Sequence, residues 1–224
     1  MRKQIFTILL LSSLILLFSS SALAQDYYFQ VPELTIDLYW NDDGSAAIEY
    51  IFTFINDASG PIEYVDLGLP NDSFDENQIS AEVNGIPLTY ISRSEFQGIG
   101  SSGVAIGLES NSIPPGETGT VKIIVPHVED VVYVDSDDNN YVSVVFKNPY
   151  FISSVVHGTT DLSVTFHLPP GVQPEEPRWH ASPAGFPEEP EVGFDDQGRI
   201  SYRWRNPSAS MAIDYEFGAS FPMQ

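Results

Sequence analysis

Apolar and polar residues alternate in short runs along most of the chain. Within residues 34–40, and again within 48–54, every second residue is a large apolar one. A β-strand points successive side chains to opposite faces, so this period predicts strands with one buried face. The turn-forming run Asn41-Asp42-Asp43-Gly44 lies between the two. Together they predict a β-hairpin.

Further runs of the same kind are broken by Gly, Pro, Asn and Asp. They predict strands at 62–69, 79–83, 86–91, 103–109, 118–125, 131–135, 141–147, 160–168, 199–205 and 211–217. Asn84-Gly85 separates two of these runs, and Asn-Gly favours the type I′ turn, which needs positive φ at both central positions. We therefore expect a second hairpin around Asn84-Gly85.

These strands predict an all-β fold. We predict two immunoglobulin-like β-sandwich domains in tandem, at residues 25–126 and 127–224, because seven short strands in about a hundred residues match that architecture. No obvious linker separates the two sets of strands, and Pro126-His127 is the most plausible boundary. One elongated β-sandwich is the alternative.

The last two runs predict a hairpin whose register follows from burial. Pairing Trp204 with Ile213 places the apolar residues of both strands on one face, whereas a one-residue slip would turn one set toward solvent. Arg203 then lies opposite Asp214, and Arg203 and Arg205 belong to a stripe of arginines on the outer face. We expect this stripe to neutralise nearby carboxylates or, alternatively, to bind an anionic ligand.

A proline-rich acidic stretch at 169–198 interrupts the alternation. Within it, Pro174-Glu175-Glu176-Pro177 recurs as Pro187-Glu188-Glu189-Pro190. Proline removes a backbone donor, so this stretch is predicted to cross the surface as a stiff loop. Trp179 and Phe186 lie between the two copies. We expect these aromatic residues to hold the loop on the second core or, alternatively, to bind a ligand.

Residues 1–24 have the pattern of a secretory signal peptide. Two basic residues come first, an apolar run from Ile5 to Phe18 follows, and small residues precede Gln25. Export permits disulfides, yet the chain contains no cysteine, so apolar burial must supply its stability. No later apolar run is long enough to span a bilayer. We predict a secreted or cell-envelope protein with no transmembrane segment in the mature chain.

The mature chain is strongly acidic. The leader carries two of the nine Lys and Arg residues and none of the 31 Asp and Glu residues, which leaves a formal net charge of −24 after cleavage. Nucleic acids and anionic lipids are bound through clustered Lys and Arg, so this charge argues against both. We expect an envelope protein or a polysaccharide as the partner.

An aspartate-rich run resembles the start of a calcium-binding loop. Asp135, Asp137 and Asn139 offer oxygen atoms at alternate positions, as calcium loops do. An EF-hand requires Gly at its sixth position and Glu at its twelfth, where this chain has Asn140 and Phe146. The EF-hand interpretation therefore fails. We expect a polar hairpin tip with, at most, a weak Ca²⁺ site, and we predict no other cofactor.

Residues 98–103 match the pattern G-x-G-x-x-G. This motif binds dinucleotides only between a strand and a helix, because the helix N-terminus receives the pyrophosphate. Here Val104 to Leu108 follow, and they predict a strand. We interpret the glycines as a flexible loop.

The sequence contains no motif that indicates an enzyme. H-E-x-x-H and G-x-S-x-G are both absent, and the histidines form no local metal-binding pair. We therefore predict a non-catalytic binding and interaction module. The alternative is a carbohydrate-active protein, a lectin or a glycoside hydrolase, in which an exposed Trp40, Trp179 or Trp204 stacks on a sugar beside paired carboxylates.

The opening of the mature chain resembles a known family. Residues Leu34 to Trp40, followed by Asp42 to Tyr50, are similar to the start of a family of predicted bacterial membrane proteins of unknown function. The resemblance implies an extracellular N-terminal β domain behind a signal peptide, often with transmembrane segments after it. It implies no site residues.

Overall fold

The computed structural model describes residues 27–94 and 102–223, and these residues form β-strands joined by turns. The strands are β1 (Phe29–Trp40), β2 (Ala46–Asn56), β3 (Tyr64–Gly68), β4 (Ser80–Val83), β5 (Ile86–Pro87), β6 (Tyr90–Arg93), β7 (Gly103–Gly107), β8 (Thr118–Val128), β9 (Val132–Val134), β10 (Tyr141–Lys147), β11 (Val156–His157), β12 (Thr160–His167), β13 (Arg178–Trp179), β14 (Glu191–Phe194), β15 (Ile200–Ala209) and β16 (Glu216–Pro222). Two short 3₁₀ helices occupy Glu76–Gln78 and Glu109–Asn111. The all-β prediction is confirmed. Within the described part of the chain, no helix has the length and apolar character needed to cross a membrane.

The strands form three sheets. The large sheet has the order β14-β15-β12-β1-β2-β8-β4-β5, with β11 paired to the start of β1. The C-terminal sheet has the order β13-β16-β10-β9, and the small sheet has the order β3-β7-β6. Their buried faces contribute to one contiguous apolar core.

Both hairpins predicted from turn residues are present. β1 and β2 are antiparallel, with Leu38 opposite Ile48, and their alternate apolar side chains are buried. β4 and β5 meet at the predicted turn, where Asn84 and Gly85 have φ values of 51° and 79°. Asn and Gly are the residues that adopt this left-handed backbone at least cost, so the local sequence fixes the turn.

The strand pairing does not divide at the predicted boundary between 126 and 127. β8 runs continuously through that point, and β1 lies between β2 and β12 in the large sheet. β1 and β12 are parallel, with Ile36 opposite Val164. Strands from both predicted halves therefore share one sheet. Alternation marks a strand and its buried face, but it does not specify a distant partner.

The predicted C-terminal hairpin is wrong. β15 pairs with β12 and β14, and Trp204 lies opposite Val164. The final strand begins only at Glu216 and pairs with β10 and β13, while Ile213 lies outside the strands and is 47% exposed. The local hairpin was expected to bury Trp204. Its pairing with the distant strand β12 buries it almost completely instead.

Aromatic rings join the sheets across the core. Trp204 of the large sheet contacts Phe217 of the C-terminal sheet, with ring centroids 5.5 Å apart. Phe166 contacts both Trp204 and Trp40 edge to face, at 5.1 and 5.4 Å. Burying one side chain of this size stabilises the fold by about 1.5–3 kcal/mol, so this aromatic row is a substantial source of stability in a chain without disulfides.

Candidate functional site

A pocket opens beside the start of β1. Its volume is about 240 Å³. Its walls come from β1 with Tyr27 ahead of it, from β2, from β3 with Ile62 ahead of it, and from the connection between β10 and β11. The lining residues are Tyr27, Phe29, Phe54, Ile62, Tyr64, Val65, Asp66, Tyr150, Phe151, Ile152 and Val155. We call this cavity the aromatic pocket, because six of these eleven residues are aromatic.

Interlocked aromatic rings form one wall. Phe29 lies edge to face against Phe54 and Phe151, with centroid distances of 5.5 and 5.1 Å. Phe54 and Phe151 are 6.1 Å apart in a similar geometry. Edge-to-face contacts are favourable beyond simple burial, so each ring restricts its neighbours. This wall is therefore preformed.

The buried side chain of Asn148 holds the start of the connection between β10 and β11, which contributes Phe151 to this wall. Its Oδ1 accepts a hydrogen bond from the Tyr215 backbone N–H at 2.7 Å, and its Nδ2 donates to the Pro149 carbonyl at 2.8 Å. The backbone N–H of Phe29 also donates to the Val155 carbonyl at 2.9 Å. A buried amide with satisfied partners fixes the local backbone, because breaking its bonds would strand polar groups away from water.

A second buried asparagine supports the pocket from the end of β2. Asn56 donates from Nδ2 to the carbonyls of Gly60 and Ile113 at 2.9 and 2.8 Å. Ile113 pairs with the lining residue Ile62 in an isolated antiparallel bridge. The two asparagines thus hold two separate parts of the pocket in place.

Two polar groups face otherwise apolar surroundings. Asp66 accepts a hydrogen bond from Ser94 Oγ at 2.9 Å, and burial raises the pKa of its carboxyl group despite that bond. The Tyr27 hydroxyl is buried, and among the described residues it makes no hydrogen bond of good geometry, although Tyr64 and Glu63 lie nearby. Burial also raises the pKa of Tyr27. An apolar cavity that contains a small number of polar groups is typical of ligand sites.

The rim of the aromatic pocket reaches solvent. Tyr64 is 44% exposed and Ile152 is 55% exposed, while Tyr27 lies edge to face on Tyr64 at 5.2 Å. Exposed apolar residues grouped at the mouth of a cavity mark an interaction site more strongly than the same residues scattered singly.

The calcium candidates lie in the tight turn between β9 and β10. Asp135 Oδ2 accepts hydrogen bonds from Ser143 and Ser220 at 2.6 and 2.7 Å, and its Oδ1 accepts from the backbone N–H groups of Asp137 and Asp138. These bonds occupy the lone pairs that a cation would need. Asn139 is exposed at the same turn.

The serine hydroxyls belong to a wider network. His180 Nε2 lies 2.8 Å from Ser220 Oγ, and the His180 ring packs over Gly218, where any Cβ would collide with it. Ser220 is buried. The hydrogen bonds to Ser143 and Ser220 lower the pKa of Asp135. The network ties β9, β10 and β16 together.

The two aromatic candidates in the proline-rich loop differ in depth. Trp179 lies in β13, is 37% exposed and contacts Tyr202 edge to face at 5.7 Å. Phe186 is half-buried between Tyr215 and Phe217, with centroid distances of 5.1 and 5.0 Å. Phe186 is thus the deeper contact of the loop.

The other two tryptophans are core residues. Trp40 and Trp204 are each 1% exposed. Trp204 also holds the proline-rich loop, because its indole N–H donates to Ser182 Oγ at 3.0 Å. Neither can stack on a sugar, so the predicted carbohydrate platform is reduced to Trp179.

The candidate arginines lie on the polar face of β15, with partners other than those predicted. Arg205 forms a two-pronged contact with Asp161, which lowers the pKa of that carboxyl group. Arg203 donates to Ser163 Oγ at 3.0 Å and lies 3.9 Å from Glu191. Both guanidinium groups are therefore engaged within the large sheet.

One buried histidine lies between two carboxylates on the same face. His167 Nε2 is 3.2 Å from Asp37, and its Nδ1 is 3.2 Å from Asp195. Burial raises the pKa of Asp195, but hydrogen bonds from Arg199 outweigh this and lower it overall. The two carboxylates contact opposite sides of the ring and do not converge on one point. In the described ranges, no three His, Cys, Asp or Glu side chains are arranged to hold a metal ion.

Most of the glycine motif at 98–103 lies outside the described residues, and so does the whole of the predicted leader at 1–24. The strand predicted after the motif is present as β7.

Sequence reasoning missed the aromatic pocket. Four of its six aromatic residues lie in two short runs, Tyr27 to Phe29 and Tyr150 to Phe151, which do not show the alternation of a strand. The other two, Phe54 and Tyr64, lie within predicted strands. The two short runs are the signal that could have identified the pocket. Nothing in the sequence indicates that β1 and the connection after β10 meet, because that contact depends on the parallel pairing of β1 with β11 and β12.

Two solved structures show the same kind of fold. One is a mutant M1 zinc metallopeptidase from Deinococcus radiodurans, at 13% identity and a TM-score of 0.52, and the match covers 88% of this chain and 43% of that chain. The other is the same kind of mutant bound to a Tyr-Ser-Ala substrate, at 12% identity and a TM-score of 0.51, with the same coverage. This chain therefore spans less than half the length of these peptidase chains. At such identity the likeness concerns the fold alone.

No protein-family model and no curated protein matches the sequence.

Proposed function

We propose that this protein is a secreted or cell-envelope binding module, without catalytic activity, whose aromatic pocket takes a small organic ligand. The observation that carries this proposal is a preformed cavity whose walls come from well-separated parts of the chain. Interlocked rings and two buried asparagines hold those walls, so little ordering entropy opposes binding. A mostly apolar, concave cavity with a few polar groups is the usual form of a small-molecule site.

The extracytoplasmic location rests on the leader pattern of residues 1–24 and on the acidic mature chain. Expression of the full chain in a bacterial host, followed by mass spectrometry of the exported protein, tests it. We expect the mass of a chain that begins at Gln25. Uncleaved protein retained in the cytoplasm would contradict this part of the proposal.

The non-catalytic role rests on the sequence, which lacks the H-E-x-x-H motif of zinc peptidases. The fold likeness to M1 peptidase chains involves less than half of their length.

A partner in the cell envelope would contact the chain through the rim of the aromatic pocket.

Calorimetric titration with 2-phenylethanol, a small neutral aromatic probe, tests the pocket directly. Val155→Phe adds bulk to the wall and should abolish binding. Val192→Phe makes the same change on β14, at an exposed position outside the lining, and should leave binding unchanged. Equal binding by both variants would place the probe elsewhere, and no binding to the wild-type protein would refute the ligand site.

A carbohydrate ligand is the second candidate, and it rests on the exposure of Trp179, whose neighbour in the sequence, Arg178, contacts Asp138. Tryptophan fluorescence, titrated with soluble envelope polysaccharides, tests it. If Trp179 forms a sugar platform, the signal of the wild-type protein changes and that of Trp179→Phe does not. An unchanged wild-type signal would dismiss this candidate.

A further inference from the structure

We propose that the ligand of the aromatic pocket is an organic cation, with an aromatic or aliphatic body held by the rings and an ammonium or guanidinium group paired with Asp66. This inference rests on the proposed function, since it assumes that the pocket is a ligand site, and it names the class of ligand. Three features of the pocket and of the molecule support it.

The first is the charge of the lining. Asp66 is the one charged side chain among the described residues that line the pocket. Its Oδ1 accepts a hydrogen bond from the neutral hydroxyl of Ser94, and no cation of the described residues forms an ion pair with it. A carboxylate has about four lone-pair positions, so Oδ2 remains available to a donor. A half-buried anion without a counter-ion is costly, and a cationic ligand would offset that cost.

The second is the aromatic lining around this carboxylate. Tyr64 and Asp66 lie two residues apart on β3, and alternate residues of a strand share a face. Tyr27 contacts Tyr64 directly. Ring faces attract cations, and this attraction is strongest where water is excluded. A carboxylate among aromatic rings therefore favours an organic cation over a neutral or anionic ligand.

The third is the size of the cavity, together with the charge of the molecule. A volume of about 240 Å³ equals the liquid volume of about eight water molecules, which suits one ring with a short side chain. The net charge of −24 on the chain after cleavage attracts cations over long range and repels anions. Small anions are therefore the least suitable ligands.

Calorimetry with three probes of matched size tests the proposal: 2-phenylethylammonium, 2-phenylethanol and 3-phenylpropionate. We expect the ammonium to bind the wild-type protein at least tenfold more tightly than the alcohol, and the carboxylate not to bind. Asp66→Asn keeps the shape and removes the charge, so it should reduce the ammonium affinity at least tenfold and leave the alcohol affinity unchanged. Asp42→Asn, an identical change in the exposed β1–β2 turn, should alter neither.

The outcomes separate this inference from the proposed function. If the alcohol binds and the ammonium binds no more tightly, the cation proposal fails and the binding module stands. If no probe binds, both fail. The comparison of the probes on wild-type protein decides the question even if Asp66→Asn does not fold. A loss of ammonium binding in Asp42→Asn equal to that in Asp66→Asn would show a general charge effect and would also overturn the specific pairing.

Discussion

At the scale of single residues, Asp135 shows how a candidate ligand becomes a structural group. Hydrogen bonds from Ser143 and Ser220, together with two backbone N–H groups of the turn, satisfy its carboxylate. They favour the ionised form and lower the pKa of Asp135. The sequence shows the acidic turn but not the two serines, because these lie on β10 and β16.

This arrangement predicts a specific response to acid. The folded-state pKa of Asp135 lies below its unfolded value of about 3.9, so the stabilising effect is present above that value and is lost as the pH falls through the folded pKa. Asp135→Asn should lower the melting temperature at pH 7 and flatten the loss of stability below about pH 4. Thermal melts at several pH values measure this. Parallel pH curves for both proteins would contradict it.

The same geometry predicts a weak response to calcium. A cation at Asp135 would have to displace hydrogen bonds that already use both carboxylate oxygens. We expect melting curves recorded with calcium and with a chelator nearly to coincide. A ligand at a hundred times its dissociation constant stabilises a protein by about 2.7 kcal/mol. A calcium-dependent shift of that size would show that the turn is a calcium site after all.

At the scale of elements, the proline-rich loop is held by several contacts of unequal weight. Phe186 lies between two aromatic rings of the C-terminal half, while Trp179 covers Tyr202 and keeps more than a third of its surface exposed. The depth of burial, rather than the size of the side chain, should therefore decide which truncation costs more.

Phe186→Ala should lower the free energy of unfolding by roughly 2–4 kcal/mol, because it leaves a cavity between Tyr215 and Phe217. Trp179→Ala should cost less than half as much. Urea denaturation of both variants measures the difference. A larger loss for Trp179→Ala would mean that Trp179 is the main contact of the loop, and that its exposed face has little to do with binding.

The strand pairs also show which contacts can be predicted from the sequence alone. The β1–β2 and β4–β5 pairs could be predicted, because turn residues between adjacent runs specify both the connection and the register. The pairing of β15 with β12 and of β16 with β10 could not, since many strands share the same alternation and any of them could bury Trp204. The aromatic pocket depends on such distant pairings. Its residues were therefore visible in the sequence, but their proximity was not.

At the scale of the whole molecule, the shared sheet predicts a single unfolding transition. β1 pairs with β2 on one side and β12 on the other, so neither half of the chain can lose its strands without exposing the core of the other. Cooperative unfolding of one core gives coincident transitions for different probes.

The tryptophans provide those probes. A protein that keeps only Trp40 reports on the first half, and one that keeps only Trp204 reports on the second, with Phe in place of the other tryptophans. Urea unfolding of each protein is followed by tryptophan fluorescence and by circular dichroism. In each protein we expect the two signals to give the same midpoint. Two separated transitions within one protein would support independent domains at 25–126 and 127–224.

The central claim is that the aromatic pocket binds the ligand, and nuclear Overhauser effects between a probe and methyl groups test it most directly. Protein labelled at its Ile and Val methyl groups would be mixed with unlabelled 2-phenylethylammonium. We predict contacts from the ring protons of the probe to Val65, Ile152 and Val155, which line the pocket. Contacts confined to surface methyl groups such as Val192, or no contacts at all, would contradict the claim.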